Sequence, residues 1–267
     1  MPTTYAHYTF GRNVLKELNE ELRESINDNI ELYNIGLHGP DILFYYKPLR
    51  SNKINKLGNE IHKINANIFF EKAKKTILSC GDLNKAFAYI AGFICHYMLD
   101  SQCHPYIRLK ENEISHNEIE TEFDRAIMLK DNLNPITFKP TSHIVPSIEN
   151  AKCISEFFPD MSPEEILKSL KSMKFYLNLL VAPGRIQRAL IIEALKISGS
   201  ENKIGLIKRY SPIEKCSEIN DELMGLYDDV IKPCALLIEE YFNMFGVTPF
   251  IKGESEKLNE RFNRNFG

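Results

Sequence analysis

Several features common in other protein classes are missing from this chain. None of its 267 residues is tryptophan, and none of its apolar runs approaches the ~20 residues that a membrane-spanning helix requires. The first residues, Met-Pro-Thr-Thr-Tyr-Ala-His, contain neither the basic nor the apolar region of a secretory signal. These absences predict a protein without a transmembrane segment and with a cytoplasmic location.

The chain also lacks the alternation of residues that predicts strands, and it has no repeat or low-complexity tract. Apolar residues instead recur at helical spacing. The predicted helices cover residues 13–33, 59–79, 83–101, 113–130, 163–180, 184–197 and 220–245. Pro105 predicts an end or kink of a helix, Pro233 predicts a kink, and the prolines of residues 134–147 predict a loop. Ser162 and Glu165 predict a capping box. We therefore predict an all-α fold with one multi-helix domain over residues 1–267.

Composition argues against two further classes of protein. The net charge is −3 and the pI is about 6.2. These values argue against a broad basic surface that binds nucleic acid, and they are compatible with a local basic patch. We expect no stable nucleic-acid partner. The six cysteines form no C-x-x-C pair, which predicts free, mostly buried thiols rather than a disulfide scaffold. Nothing in the composition indicates an oligomeric state.

Histidine is concentrated at one end of the chain, because six of the seven lie in the first 116 residues. Residues four apart on a helix differ by about 40° in direction and about 6 Å in rise. His96, Asp100 and His104 therefore form one stripe, and His116 and Glu120 form a second. Zinc binds histidine nitrogen together with carboxylate oxygen, so two facing stripes suit two or more zinc ions. A structural network of His–Asp hydrogen bonds is the alternative, since a buried Asp must be paired or bound to a cation.

Four further residues have a functional and an ordinary interpretation. His62 lies on the helix before the first stripe, and His7 lies where a chain end is usually solvated. Asp41, after Gly-Pro, is either a helix N-cap or a ligand or base at the rim of a pocket. His38 is either a loop residue or a hydrogen-bond donor to a ligand. Only the surrounding constellation favours the functional interpretation of each.

The order of these residues resembles that of the zinc-dependent phospholipase C family, whose all-helical fold is shared with zinc-dependent single-strand nucleases. The family pattern has a histidine near the N-terminus, a Gly-x-x-x-Pro-Asp-like segment, a further histidine, a His-x-x-x-Asp-x(n)-His segment and His-x-x-x-Glu. The matching residues are His7, Gly36-Leu-His-Gly-Pro-Asp41, His62, His96-x-x-x-Asp100-x-x-x-His104 and His116-x-x-x-Glu120. The resemblance covers residues 5–125, and residues 150–267 are expected to buttress this metal-binding half.

The resemblance implies two to three zinc ions. The first would take Asp41, His62, His96 and Asp100. The second would take His104, His116 and Glu120. The third would share Asp100 and add His7. In the secreted relatives an N-terminal tryptophan completes the third site, and this chain has none; the spacing between Asp100 and His104 is also shorter than in those enzymes.

The implied activity is hydrolysis of a phospholipid or a small phosphodiester by a zinc-bound hydroxide, with Asp41 able to orient or deprotonate the water. A zinc-dependent single-strand nuclease or nucleotidase is one alternative. A non-catalytic helical protein stabilised by zinc is another, although three-ligand sites leave a coordination position open and so favour catalysis. The phosphodiester or the headgroup of a phospholipid is the expected partner. Secretion, as in the family, is the alternative to the cytoplasmic location.

Overall fold

A computed structural model describes residues 4–244 and 261–266, and within these ranges the chain is helical. The α-helices are α1 (Thr4–Glu17), α2 (Glu20–Asn27), α3 (Ile30–Gly36), α4 (Lys53–Lys63), α5 (Ala66–Ser79), α6 (Leu83–Lys110), α7 (His116–Lys130), α8 (Ile148–Ser155), α9 (Pro163–Val181), α10 (Arg185–Ile197) and α11 (Cys216–Asn243). Two 3-10 helices span Gly39–Tyr45 and Glu201–Leu206. Over the described ranges, extended pairing is limited to one isolated antiparallel bridge between Asn65 and Asn265. The all-α prediction is confirmed.

Helix α6 is the centre of the molecule, and α1, α3, α5 and α11 all pack against it. Every residue from Ala86 to Tyr97 is buried. A helix that is apolar on all sides is stable only when it is enclosed by other elements. His96 lies near the end of this buried stretch, and the part of α6 that follows carries Asp100 and His104.

Two glycines allow α3 to lie directly on α6. A Cβ at Gly36 would come within 2.1 Å of the carbonyl oxygen of Tyr89, and a Cβ at Gly92 within 2.1 Å of that of Tyr33. Neither distance is possible for a real side chain, so the two backbones meet only because both positions are glycine. This close crossing places the segment after α3, which contains Asp41, against α6.

The sequence predicts that Pro105 ends or kinks its helix. Pro105 does not end it, because α6 continues to Lys110. Proline leaves the carbonyl four residues earlier without its usual donor, and that loss costs most where water cannot replace it. The carbonyl concerned is that of Ser101, and α6 continues in spite of this loss. As a result His104 and Arg108 stay on the same continuous helix as Asp100.

Several helix boundaries also differ from the predictions. The pattern over residues 13–33 is divided among α1, α2 and α3, and that over residues 59–79 between α4 and α5. An asparagine accounts for one of the breaks, because Asn19 caps α2 by accepting a hydrogen bond from the backbone N–H of Leu22. Asn65 stands at the N-cap position of α5 without a side-chain capping hydrogen bond. Helix α7 begins only at His116, and α8 and the amino-terminal half of α1 were not predicted. The final helix of the described chain runs through Pro233 from Cys216 to Asn243, so its prediction to residue 245 extends beyond the described residues.

Other predictions hold. Ser162 and Glu165 form the capping box of α9, and residues 134–147 contain no helix. All six cysteines are free and four of them are buried. Among the described residues, no helix combines the length and apolarity needed to cross a membrane.

The last described residues fold back onto α5. The backbone N–H groups of Ala66 and Asn67 donate to the carbonyl oxygens of Arg264 and Phe262, at 2.8 and 3.0 Å. Phe266 is fully buried and its ring lies 6.5 Å from that of His62. The carboxyl-terminal segment therefore supports the helices that carry the histidines.

Candidate metal centre

All eight residues that the sequence analysis selected lie together. They come from five elements: His7 from α1, Asp41 from the first 3-10 helix, His62 from α4, His96, Asp100 and His104 from α6, and His116 and Glu120 from α7. Their donor atoms form three groups, and the atoms of each group lie within 4.8 Å of one another. The groups are His7/His96/Asp100, Asp41/His62/His96 and His104/His116/Glu120.

Asp100 is at the centre of the first group. Its Oδ1 lies 3.0 Å from His7 Nε2, and its Oδ2 lies 3.3 Å from His96 Nε2. The His7 and His96 rings are stacked with their centroids 4.6 Å apart. His7 is only 2% exposed, so the solvated interpretation of this near-terminal histidine is wrong.

The second group joins the 3-10 helix to α4. Asp41 Oδ1 lies 3.1 Å from His62 Nε2. The other ring nitrogen of His62, Nδ1, lies 2.7 Å from the carbonyl oxygen of Gly58 and donates to it. A backbone carbonyl in this position fixes the tautomer and directs the free nitrogen lone pair toward the site. The Phe44 ring stacks on His62, with centroids 5.3 Å apart.

The third group lies at the mouth of the site, between α6 and α7. Glu120 Oε1 lies 3.0 Å from His116 Nε2 and 3.3 Å from His104 Nε2. His116 Nδ1 lies 2.6 Å from Oε1 of Glu111, a residue that the sequence analysis did not select. A carboxylate behind a histidine raises its basicity as a ligand. His104 Nε2 is also 3.8 Å from Asp100 Oδ1, so the third group adjoins the first.

Burial and charge act against each other throughout the site. Burial lowers the pKa of His96 to about 4, although the nearby Asp100 charge opposes this shift. Burial also lowers the pKa of His116. The hydrogen bond and charge of Glu120, together with the hydrogen bond to Glu111, outweigh burial and raise this pKa to about 9. Burial alone would raise the pKa of Asp100, but the charges of His96, His104 and His7 hold it well below its usual range. The site therefore concentrates ionised carboxylates that need positive charge.

Unsatisfied buried atoms show that a cation fits this donor set. In the part of the chain that the structure describes, neither ring nitrogen of His96 makes a hydrogen bond, and Oδ2 of Asp41 makes none. Both residues are almost completely buried. Leaving such groups without partners costs about 1–3 kcal/mol each. A cation bound between them would satisfy both, and nitrogen and carboxylate donors are the ligands that zinc takes.

Local backbone features position the two inner groups. Gly39 has a φ of +47°, which strongly favours glycine, and it allows the chain to turn so that Asp41 points into the site. At α1, the Asp124 carboxylate accepts hydrogen bonds from the backbone N–H groups of Tyr5 and Ala6, at 3.2 and 2.8 Å. A carboxylate at a helix N-terminus satisfies free N–H groups and complements the helix dipole. Asp124 thus fixes the end of the helix that carries His7.

Asp124 was missed by the sequence analysis, although a signal for it existed. It follows Glu120 by four residues and His116 by eight, and so extends the same stripe of α7. His143 was also missed. Its Nε2 lies 2.8 Å from that of His38, and the Tyr8 ring stacks on it at 4.1 Å. His38 is therefore a buried turn residue that pairs with His143, and it belongs to none of the three donor groups.

The donor atoms open into a cleft of about 280 Å³. Besides the candidate ligands, its lining residues are Phe44, Asn59, Arg108 and Glu111. Arg108 projects from α6 one turn beyond His104, and its side chain is exposed. The cleft thus combines a wall of ligands with one guanidinium, one amide and one aromatic ring.

Fold and site together define an all-helical protein with clustered groups of histidine and carboxylate donors at an open cleft. The chain belongs to the zinc-dependent phospholipase C family, because that family's sequence profile matches residues 6–178. The match includes all eight candidate ligands and extends past residues 5–125 into α9. Zinc is the metal named by the family, and the donor types agree with it. No curated protein and no solved structure matches the chain significantly.

Proposed function

We propose that this protein is a phospholipase C-like phosphodiester hydrolase that binds two to three zinc ions. The observation that supports this proposal is the adjacency of the three donor groups. Two of them share His96, the third adjoins Asp100 through His104, and each group contributes at least one residue to the lining of one cleft. Adjacent ions acting on one substrate are a known arrangement for phosphoester hydrolysis. Family membership supports the same class of reaction.

Each ion has a proposed set of ligands. Asp41, His62 and His96 form one set with Asp100. His104, His116 and Glu120 form the second. Asp100 and His7 contribute to the third, which is the least complete because the chain has no tryptophan. Support for Asp100 as the bridging ligand comes from its oxygens, which lie 3.0 to 3.8 Å from nitrogens of His7, His96 and His104.

When bound, zinc lowers the pKa of a coordinated water to about 7 and withdraws charge from a phosphoryl oxygen. The protein residues hold and orient the reactants. Burial would raise the pKa of Asp41, but the hydrogen bond from His62 and the nearby histidine charges lower it by more. This carboxylate is therefore ionised at neutral pH. Asp41 can therefore accept a hydrogen bond from the attacking water and orient it. Arg108, at the mouth, supplies positive charge to an anionic phosphodiester.

The size of the cleft favours a headgroup over a whole lipid. A volume of about 280 Å³ is just below the usual range for ligand sites, ~300–1,000 Å³. Phe44 is the one apolar residue among its described lining residues, so acyl chains would find little apolar surface inside. We propose that the phosphate and headgroup enter the cleft while any diacylglycerol part remains outside.

A matched set of substrates tests the activity. Purified zinc-loaded protein is incubated with p-nitrophenylphosphorylcholine, phosphatidylcholine in mixed micelles, and single-stranded DNA and RNA. Hydrolysis of the choline esters with intact nucleic acid is the expected result. Cleavage of the nucleic acids alone would make the protein a nuclease, in which Phe44 stacks on a base.

Asp100→Asn keeps the shape of the side chain and removes its charge, so it should abolish turnover and the binding of at least one zinc ion. Full turnover in this variant would remove Asp100 from the proposed mechanism. Metal content is measured by elemental mass spectrometry on protein purified without a metal-binding tag. Two or three zinc equivalents without hydrolysis of any of these substrates would indicate that zinc has a structural role instead.

A further inference from the structure

The end of α9 and the following helix α10, residues 171–197 and here called the hairpin, keep almost all of their side chains at least partly exposed. After Met173, Ala182 is the one buried residue of this hairpin. Helix α10 has no buried residue at all, although most of its residues are apolar. A helix in a globular domain normally buries its apolar stripe against a core. The hairpin therefore presents apolar side chains that the described part of the chain leaves uncovered.

The exposed apolar side chains are large and regularly placed. Ile186, Leu190 and Ile197 are 80%, 68% and 81% exposed. Their spacing of four and seven residues puts them on one face of α10. Phe175, on α9, is 61% exposed. A row of exposed apolar side chains such as that on α10, in contrast to single exposed residues, marks a site of interaction with a protein or a membrane.

Charge distinguishes between these partners. Five of the residues between positions 171 and 197 are basic (Lys171, Lys174, Arg185, Arg188 and Lys196) and one, Glu193, is acidic. The hairpin is thus strongly positive, while the whole chain has a net charge of −3. A second copy of the protein would bring two positive hairpins together in a symmetric contact, which is unfavourable. An anionic surface is attracted instead.

A groove beside α9 shows the same combination of charge and apolar surface. It has a volume of about 450 Å³ and is lined by Lys139, Lys171 and Lys174 beside Phe175 and Leu179. Lysines next to exposed aromatic and aliphatic side chains suit the phosphate groups and upper acyl chains of a bilayer. Helices that lie in the membrane interface combine an apolar face with basic residues in this way.

The hairpin is connected to the mouth of the candidate metal centre. Helix α10 packs on the second 3-10 helix, and there the carbonyl oxygen of Asn202 accepts a hydrogen bond of 2.7 Å from Asn117 Nδ2, next to His116. From the same 3-10 helix Lys203 Nζ donates to the carbonyl oxygen of Pro48 at 3.3 Å. Leu49, beside it, is 64% exposed. The second 3-10 helix thus connects α10 to the residue beside His116.

We propose that the α9–α10 hairpin docks on an anionic lipid bilayer, with Ile186, Leu190 and Ile197 inserted among the upper acyl chains. The exposed basic residues Lys171, Arg185 and Lys196 contact anionic headgroups. This inference deepens the proposed function, because a phospholipase must reach its substrate in a lipid surface. Binding to vesicles does not require hydrolysis, so the two proposals can fail separately.

The test is co-sedimentation of the full zinc-loaded chain with vesicles of phosphatidylcholine, with or without an equal share of phosphatidylglycerol. We expect binding at least ~10-fold tighter to the mixed vesicles, and weaker binding in added salt. The triple variant Ile186→Gln, Leu190→Gln and Ile197→Gln should bind at least ~10-fold more weakly, because it removes the inserted side chains. Arg185→Glu with Lys171→Glu should abolish the preference for phosphatidylglycerol.

Matched controls keep the result specific. Leu78, Leu129 and Leu236 are 60%, 56% and 54% exposed on other helices, and their triple glutamine variant should bind vesicles like the wild type. Lys72→Glu with Lys75→Glu is the charge control. All hairpin variants should hydrolyse soluble p-nitrophenylphosphorylcholine at the wild-type rate if the protein is the proposed hydrolase.

Three results would overturn the proposal. The first is wild-type protein that stays in the supernatant with both kinds of vesicle. The second is an equal loss of binding in the control triple variant. The third is a concentration-dependent dimer that the hairpin triple variant converts to a monomer, which would show that a second copy covers this surface.

Discussion

The imidazole ring of His96 occupies the space that a side chain at position 39 would need. A Cβ built on Gly39 would lie 2.2 Å from Cδ2 of His96 and 2.8 Å from its Nε2. The loop that carries Asp41 therefore closes directly over a candidate ligand. Because His96 belongs to two of the three donor groups, the geometry of both depends on the absence of a side chain at Gly39.

Gly39→Ala should therefore reduce zinc binding as well as stability. The new methyl group must displace His96, and the φ of +47° adds about 1–2 kcal/mol of backbone strain. We expect the loss of at least one zinc equivalent, measured by elemental mass spectrometry, and a lower melting temperature. Gly199→Ala is the matched control, since Gly199 has a φ of +67° but no atom within 4 Å of its Cβ position. That control should lose stability alone; a wild-type zinc content in Gly39→Ala would contradict the prediction.

Glu111→Ala should weaken zinc binding at the group formed by His104, His116 and Glu120. The Glu111 carboxylate holds Nδ1 of His116 at 2.6 Å and so presents its Nε2 to the site. Removing such a partner typically lowers metal affinity 10–100-fold. Competition with a chromophoric zinc chelator measures the effect, and excess zinc should restore activity. Glu113→Ala changes an exposed carboxylate two residues away and should match the wild type; equal affinities of the two variants would show that Glu111 does not support the ligand.

Arg108→Gln should raise KM for an anionic phosphodiester about 10-fold with little change in kcat. This is the expected effect when a charge-assisted contact is lost that is equally strong in the ground state and the transition state. The guanidinium lines the mouth of the cleft and lies outside the three donor groups, so zinc content should not change. Lys110→Gln, which alters a half-buried cation of the same helix outside the cleft lining, is the control. A fall in kcat at constant KM would instead show that Arg108 stabilises the transition state.

The helical spacing of the histidines made much of the metal centre predictable. His96, Asp100 and His104 lie on one helix, as do His116 and Glu120, so each stripe is a local property of the chain. The contacts that join distant segments could not be predicted, because they depend on packing. Asp124 binds the backbone of Ala6, 118 residues away, and His38 meets His143 across 105 residues. The continuation of α6 through Pro105 was missed for a similar reason, since it depends on how α6 packs against its neighbours.

His143→Gln should make the protein less sensitive to acid. Burial, with a smaller contribution from the Lys174 charge, lowers the pKa of His143 to about 3, against about 6.5 in the unfolded chain. Between these values the unfolded chain binds a proton that the folded protein does not, so stability falls as the pH decreases from 6.5 toward 3. Between pH 6.5 and pH 5 this one group accounts for about 2 kcal/mol.

Glutamine cannot titrate in this range, yet its amide can still exchange a hydrogen bond with His38. The measurement is the free energy of unfolding in urea at pH 8, 6.5 and 5. The pH 8 value reports any loss of stacking on Tyr8, because both proteins are neutral at this position there. We expect the variant to lose about 2 kcal/mol less than the wild type between pH 6.5 and pH 5. If the stability of the two proteins changed with pH in the same way, His143 would carry its proton in the folded protein at pH 5. The His38–His143 pair would then not be the neutral pair that its burial indicates.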